Sequence, residues 1–429
     1  MTGSSLWHHR DFRLLWVGET TAQFGKIIGS VLIPLVAATG LGASPFQMGL
    51  LTAASTSAFL VLGLPAGAIV DRVRRRPLML RCDLARAALL ATVPLAWWWD
   101  ALSFTHLLVV ALLVGVCTVF FDVSYQSILP TLVGRSRLVE GNTKLQASES
   151  VALVSGSPAA GGLAHVMGAG GGVVVTAVCY LVSATSLSRM RVVEELRPRP
   201  PGRRLRTEVM EGVRFVFAHP VLRALALCTG TANLFGGIVQ AVVLLFLVRE
   251  VGLAPGPLGL LLAAGSLGGV LGAVSAGWWV RRIGQVRACW FTLLVTTPFG
   301  LLCAFAEKDW RLGLFAVGEF VFSFGVIVYN IAQVSLRQSL TPDHLLGRMN
   351  ASLRFLAWGL IPLGGLLGGL LGEWLGVREA LVVGLIGQCL AIAWVVSSPL
   401  YRDPASVRSM VERTATHPPE GEPGVPSRA

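Results

Sequence analysis

The sequence predicts an all-α polytopic membrane protein: twelve transmembrane helices in two pseudo-symmetric six-helix halves. Three observations predict it. The 429 residues are 54% hydrophobic and only 14% charged, with a mean hydropathy of +0.68, whereas about a quarter of a soluble domain is charged. Twelve stretches reach the ~20 apolar residues that a helix needs to cross a bilayer. The first six of these stretches also resemble the last six.

In chain order, the first set runs near 12–38, 47–70, 78–99, 104–127, 146–168 and 171–190, and the second near 221–248, 257–280, 286–306, 311–334, 351–372 and 377–398. The leading segment MTGSSLWHHRDFR enters a run too long for a signal-peptide core and without a small-residue cleavage site, so no signal peptide is expected. Residues 191–220 are Pro- and Arg-rich and turn amphipathic over 205–218, the pattern of a cytoplasmic linker with a short interfacial helix. The polar, Pro-rich end is expected to be a disordered cytoplasmic tail. The expected organisation is a bundle at 1–190, a linker at 191–220, a second bundle at 221–400 and a tail at 401–429.

Orientation follows from positive charge in the short connections. The arginines crowd into 72–81, 135–144, the linker, 281–287 and 337–348, while the other connections hold only Arg249, Lys308, Arg311 and Arg378. Both termini are therefore expected in the cytoplasm and the chain in the cytoplasmic membrane. The net charge of +12 is explained by this bias, and no nucleic-acid partner is expected. Trp97, Trp98, Trp99, Trp310 and Trp374 fall at the opposite helix ends and read as an aromatic belt. The seven cysteines are scattered through apolar runs, without a CxxC or Cys/His cluster, and read as small buried hydrophobes rather than disulfides or metal ligands.

The repeat is direct. GLGASPFQMGLL (40–51) matches VGLAPGPLGLLL (251–262), GAIVDRVRRRP (67–77) matches GWWVRRIGQVR (277–287), SILPTLVGRSRLVEGN (127–142) matches SLRQSLTPDHLLGRMN (335–350), and SPAAGG (157–162) matches IPLGG (361–365), at offsets between 204 and 211 residues. Six helices repeated in the same orientation is the plan of one large class of secondary transporters.

An ionisable group inside a lipid-spanning segment is costly, which makes it a functional candidate. The first span carries Glu19, Gln23, Lys26 and Ser30 on one helical face. The fourth carries Asp122 and Gln126, the seventh Asn233 and Gln240, and the tenth Glu319, Ser323, Asn330 and Gln333, again on about one face. Glu19 and Lys26 lie two turns apart, about 10 Å along the axis, so each needs a partner on another helix or cavity water. Asp122 and Glu319 are the available carboxylates. Protonation of such a carboxylate neutralises the site and deprotonation resets it, which is a basis for proton-coupled exchange. The alternative is a fixed buried network that only holds helices together.

These stretches resemble the major facilitator superfamily over nearly the whole chain, and most of all its bacterial exporter branch of macrolide-efflux and enterobactin-exporter-like proteins. The segment 67–76 resembles the signature G-x-L-x-D-R-x-G-R-K, with Arg74 at its second glycine. FFDVSYQSILPTLVGRSRLVEGN resembles the end of helix 4 and the following loop. SPAAGG resembles the helix 5 motif G-P-x-x-G-G, with Ser157 at its first glycine. GRMNASLRFLAWGLIPLGGLLGG resembles the helix 10–11 region.

The resemblance implies that helices 1, 4, 7 and 10 line a central cavity, so that the polar stripes become the substrate and proton path. It implies a conformational latch of Gly67, Asp71, Arg72 and Arg75 with Arg354 on helix 11, and a close helix contact or hinge through Pro158, Gly161, Gly162, Pro362, Gly364 and Gly365. The alternatives are a loop that serves orientation alone and glycines that serve packing alone.

The implied activity is export of a small amphipathic molecule, such as an antibiotic or siderophore, by proton antiport with alternating access. No cofactor is implied, the proton gradient drives the cycle, and the partners are the small-molecule substrate and the bilayer, with the monomer functional. No hydrolase nucleophile, phosphate-binding or dinucleotide motif is visible, and no enzyme activity is expected. An uptake symporter and a non-transporting sensor or assembly protein are the alternatives.

Overall fold

The structure, a computed structural model, describes residues 6–70, 72–134, 137–192, 205–341, 343–407 and 409–410. Among them, α1 (Arg10–Leu35), α2 (Pro45–Val70), α3 (Arg75–Trp98), α4 (Phe104–Val133) and the long α5 (Leu138–Ser188) make the first half. Then α6 (Leu205–Ala218) occupies the linker. The second half comprises α7 (Pro220–Leu245), α8 (Pro255–Ile283), α9 (Gln285–Thr296), α10 (Leu312–Ser339), α11 (Asp343–Trp374) and α12 (Val377–Leu390), followed by two single turns, α13 (Ala393–Val396) and α14 (Pro399–Arg402). Nine described stretches are long and apolar enough to cross a membrane. α3 misses that standard because of its charges, whereas α11 carries an uncharged, largely apolar run at 355–372. α5 holds two spans, since Gly168 at φ 73° and ψ 158° breaks its helix between the two predicted runs, a conformation that glycine adopts without a Cβ penalty.

The repeat is visible in the helix ends. His9 and His219 cap α1 and α7 alike, each accepting through Nδ1 from the amide three residues on, Phe12 at 3.3 Å and Leu222 at 3.5 Å. Both helices also end in a π-helical turn, Val36–Gly40 and Phe246–Glu250, followed by a glycine with positive φ, Gly42 and Gly252. The end of the molecule that holds these turns is the far end, and the end that holds α6 is the linker end.

Lipid tails are as apolar as leucine side chains, so helices in a bilayer associate through close packing at small residues. The halves meet through two such crossings. On α5 a Cβ at Gly161 would lie 2.5 Å from the Pro255 carbonyl oxygen and 2.9 Å from Gly259 Cα, while on α8 a Cβ at Gly259 would lie 2.5 Å from the Ser157 carbonyl oxygen. The second crossing joins Gly49 of α2 to Gly365 and Gly369 of α11. At the far end Arg249 donates to the Ala38 carbonyl at 3.1 Å, and the Phe46 amide donates to Glu373 at 3.3 Å. One apolar core runs through the first half into the far end of the second, including Ala241, Leu258 and Phe315. The linker end of the second half has its own core, with Leu222, Cys289 and Met349. The halves are thus joined at the far end.

Trp97 covers Gly40 and Gly170 with part of its ring, a Cβ at Gly170 lying 2.7 Å from it, and stays exposed beside Trp98 and Trp99. One expectation changes: the tail is not irregular from residue 401. Leu400 and Val407 are buried against the second half's core, while 411–429 lie outside the described residues.

Candidate functional site

α1 builds the site with two neighbouring faces. Gly18, Ala22, Gly25 and Gly29 form a small-residue stripe at helical spacing that seats α1 on the second limb of α5. There a Cβ at Gly25 would lie 3.0 Å from Cys179 and one at Gly29 would lie 3.1 Å from Thr176. One residue further round runs the polar stripe. Gln23 Nε2 donates to Glu19 Oε1 at 2.7 Å. Glu19 is 5% exposed, and its Oε2 has no hydrogen-bond partner among the described residues.

One turn on, Lys26 Nζ lies 3.6 Å from Asp122 Oδ2 of α4, with side chains 44% and 24% exposed. This ion pair sits midway along both helices. Hydrocarbon does not solvate an ammonium, so the exposed side of Lys26 looks into water-filled space. Gln126, one turn beyond Asp122, is exposed as well.

The structure adds two charges that the sequence reading passed over. Asp83 and Arg86 of α3 are 0% and 2% exposed and form an i, i+3 ion pair. Ser183 Oγ of α5 donates to Asp83 Oδ2 at 2.6 Å. The Arg86 guanidinium carbon lies 4.3 Å from the ring centroids of both Phe121 and Tyr180, so cation–π contacts take the place of water on its two faces. The signal that would have found them is the rule applied to α1, ionisable residues inside a predicted span. In α3 they follow directly on the arginine-rich connection and read as part of it.

The polar residues of the second half are differently placed. Glu319 does not join Lys26. α10 turns it toward α8 and the 3-10 segment Thr297–Phe305 that continues α9, where a Cβ at Gly265 would lie 2.7 Å from its Cγ and its Oε2 lies 3.9 Å from Cys303 Sγ. A shared face on one helix did not specify which neighbour that face meets. Gln333 is buried and donates to Asn330 Oδ1 at 3.1 Å. Asn233 donates to the Ala357 carbonyl at 2.8 Å, joining α7 to α11 within one half, and Gln240 is exposed.

Of the latch residues, Asp71 and the Arg354 side chain lie outside the described residues. Arg72 is exposed, and Arg75 donates to the Ser127 carbonyl of α4 at 3.1 Å, within its own half. A Cβ at Gly67 would meet no atom of the described residues within 4 Å. In the small-residue motifs, Pro158 and Gly161 stand at the α5–α8 crossing, whereas Gly162 has open space around its Cα. Beyond Pro362, α11 turns Gly364 toward Leu234 of α7 and Gly365 toward Thr52 of α2, so adjacent glycines serve contacts within and between the halves.

The comparisons agree with this architecture. The family model described as Major Facilitator Superfamily matches residues 15–361. The multidrug efflux pump Tap of Mycolicibacterium fortuitum is 29% identical over 405 residues, covering 91% of this chain and 96% of that protein. The enterobactin exporter EntS of Salmonella choleraesuis is 25% identical over 376 residues, covering 80% and 81%. Among solved structures, a bacterial homologue of the iron transporter ferroportin in an inward-facing state matches with a TM-score of 0.71 at 17% identity, over 92% of this chain and 99% of that one. The nucleoside transporter NupG matches with a TM-score of 0.71 at 11% identity, over 93% and 99%.

Proposed function

The chain belongs to the major facilitator superfamily, and from that premise we propose that it exports a small amphipathic molecule by proton antiport from the cytoplasmic membrane, as a monomer with both termini in the cytoplasm. It is a multi-pass membrane transporter and not an enzyme. The efflux-pump and exporter relatives support the direction of transport.

One observation carries the coupling. Glu19, buried with an unpartnered carboxylate oxygen, lies two turns from a Lys26–Asp122 pair that reaches water in mid-span. With the linker end facing the cytoplasm and the far end closed, the cavity opens inward. Cargo entering from inside meets the ion pair, where Lys26 faces the anionic group of a zwitterionic cargo and the carboxylates of the cluster hold its cationic group. When the halves rock and the far side opens, a proton arriving from outside neutralises a carboxylate of the cluster. That carboxylate no longer attracts the cargo's cationic group, and the cargo leaves. Return to the inward state and release of the proton to the cytoplasm reset the site. The protein's part is to keep the proton site and the cargo site in mutual contact, so that occupancy of one disfavours the other. No cofactor takes part, since the proton gradient supplies the drive.

Inside-out vesicles with an acidic lumen test this. They should accumulate zwitterionic amphipathic compounds from a broad panel, and Lys26→Ala and Asp122→Asn should each abolish the accumulation. Full activity in both variants would remove the assignment, and accumulation only with the gradient reversed would make the protein an importer.

A further inference from the structure

Glu19, Lys26 and Asp122 suffice for the exchange above, which leaves the Asp83–Arg86 pair without a task, although buried ions are among the most costly groups a protein can hold. Its placement ties it to the site at both ends. Ser183 Oγ, the donor to Asp83, is the atom that a Cβ on Gly18 would meet at 3.3 Å, so the carboxylate end of the pair rests against α1 one residue from Glu19. At the other end Arg86 lies over Phe121, the neighbour of Asp122 on α4. The pair therefore spans from α1 to α4 behind the cavity.

The charged groups within Coulombic reach of Glu19 are Asp122, Arg86 and Lys26, and those of Arg86 are Asp83 and Asp122. Tyr180, Tyr125, Cys179 and the mutually hydrogen-bonded Cys82 and Cys117 are other titratable groups around them, with the exposed Glu149 beyond Tyr125, and phenols and thiols are neutral in their ordinary forms near pH 7. The cluster thus sets three carboxylates against two bases, with Glu19, Asp83 and Arg86 buried and the Lys26–Asp122 pair at the edge of the water-filled space.

We propose that these five charges act as one unit that binds a single exchangeable proton, with Asp83 and Arg86 as its permanently ionised, mutually cancelling part. Fully ionised, the unit carries one excess negative charge. One proton makes it neutral, and a second would leave a net positive charge that the low dielectric around the three buried groups disfavours. Asp83 and Arg86 are then positioning residues that never meet the cargo but set how many protons the cavity accepts. Removing one partner changes that number, and removing both restores it. A pair that served packing alone would show no such restoration. The proposal rests on the proton-antiport reading and refines it to one proton per cycle.

Infrared titration of the purified transporter in lipid nanodiscs reads this without any cargo. The band of a buried protonated carboxyl, separated from surface carboxyls by its higher frequency, is followed as the pH is raised. A Glu319→Gln background removes the second half's own buried carboxyl. The parent should lose one carboxyl equivalent, Asp83→Asn none and Arg86→Gln two. The double variant Asp83→Asn/Arg86→Gln should return to one, and Arg86→Lys should also show one. Parent-like behaviour of Asp83→Asn, or a double variant that does not return to one, would overturn the proposal. Should the single neutral variants fail to fold, Arg86→Lys and the double variant decide, since any number other than one in either would be fatal. Failure of the antiport reading looks different, because parent vesicles would then move cargo without protons whatever the spectra show.

Discussion

Gly161→Ala tests whether the α5–α8 crossing belongs to one conformational state. In the far-end-closed structure the added Cβ would lie 2.5 Å from the Pro255 carbonyl oxygen and 2.9 Å from Gly259 Cα. Both are backbone atoms, so no side chain can turn away to make room. The helices must separate by at least ~0.5 Å, and such a gap forfeits roughly a quarter or more of the dispersion well for each facing pair of atoms. Overpacking of this kind costs about 1–3 kcal/mol. At 1.4 kcal/mol per factor of ten, the closed state should lose roughly 5- to 150-fold in population relative to states in which the crossing has parted.

Gly162→Ala is the internal control, since a Cβ at that neighbouring position meets nothing within 4 Å. Spin labels on the far-end loops, read by pulsed dipolar distance measurements, should show a longer-distance population that grows in Gly161→Ala and stays at the parent level in Gly162→Ala. Equal behaviour of the two variants would refute the assignment of this crossing to far-end closure.

Four further outcomes are expected. Arg86→Gln leaves Asp83 as an uncompensated buried charge and should cost about 3–5 kcal/mol, whereas Asp83→Asn/Arg86→Gln, which removes both charges, should cost clearly less; thermal unfolding in detergent orders the two. Asp71→Asn should insert normally yet transport poorly, and normal transport would reduce that loop to an orientation signal. His219 caps α7 through an unprotonated Nδ1, and burial lowers its pKa from the ordinary 6.5. A base with a depressed folded pKa contributes stability that is present above the unfolded pKa and lost as the pH falls through the folded one, so the cap's ~1 kcal/mol should disappear below about pH 6.5, and His219→Asn should remove that pH dependence while keeping the cap. Asp309 accepts from the Arg311 backbone and side chain, which lowers its pKa. Being fully exposed, it should leave stability near neutral pH unchanged when replaced by Asn.

What was legible in the sequence follows the range of the signal. Hydropathy and the repeat placed twelve spans, because a bilayer imposes length and apolarity locally. The α1 stripe was legible because helical spacing alone puts Glu19, Gln23 and Lys26 on one face. The partner of Lys26 required a fold, and the resemblance supplied α4 while leaving two carboxylates open; only the packing of α10 onto α8 and α9 separates Glu319 from Asp122. The contact of Trp97 with Gly40 and Gly170 was not legible because both glycines are far away in the chain. Asp83 and Arg86 escaped because charges beside an arginine-rich connection look like topology until burial shows that they lie inside the bundle.

The most direct test of proton exchange at the first-half cluster is simultaneous measurement of proton and cargo flux in proteoliposomes. A lumenal pH dye and a fluorescent zwitterionic amphiphile, rhodamine B, should report protons and dye moving in opposite directions for the parent protein. Glu19→Gln, which cannot release a proton from that position, should still pass the dye down its own gradient but without proton movement. Parallel fluxes in the parent, or unchanged proton movement in Glu19→Gln, would contradict the mechanism.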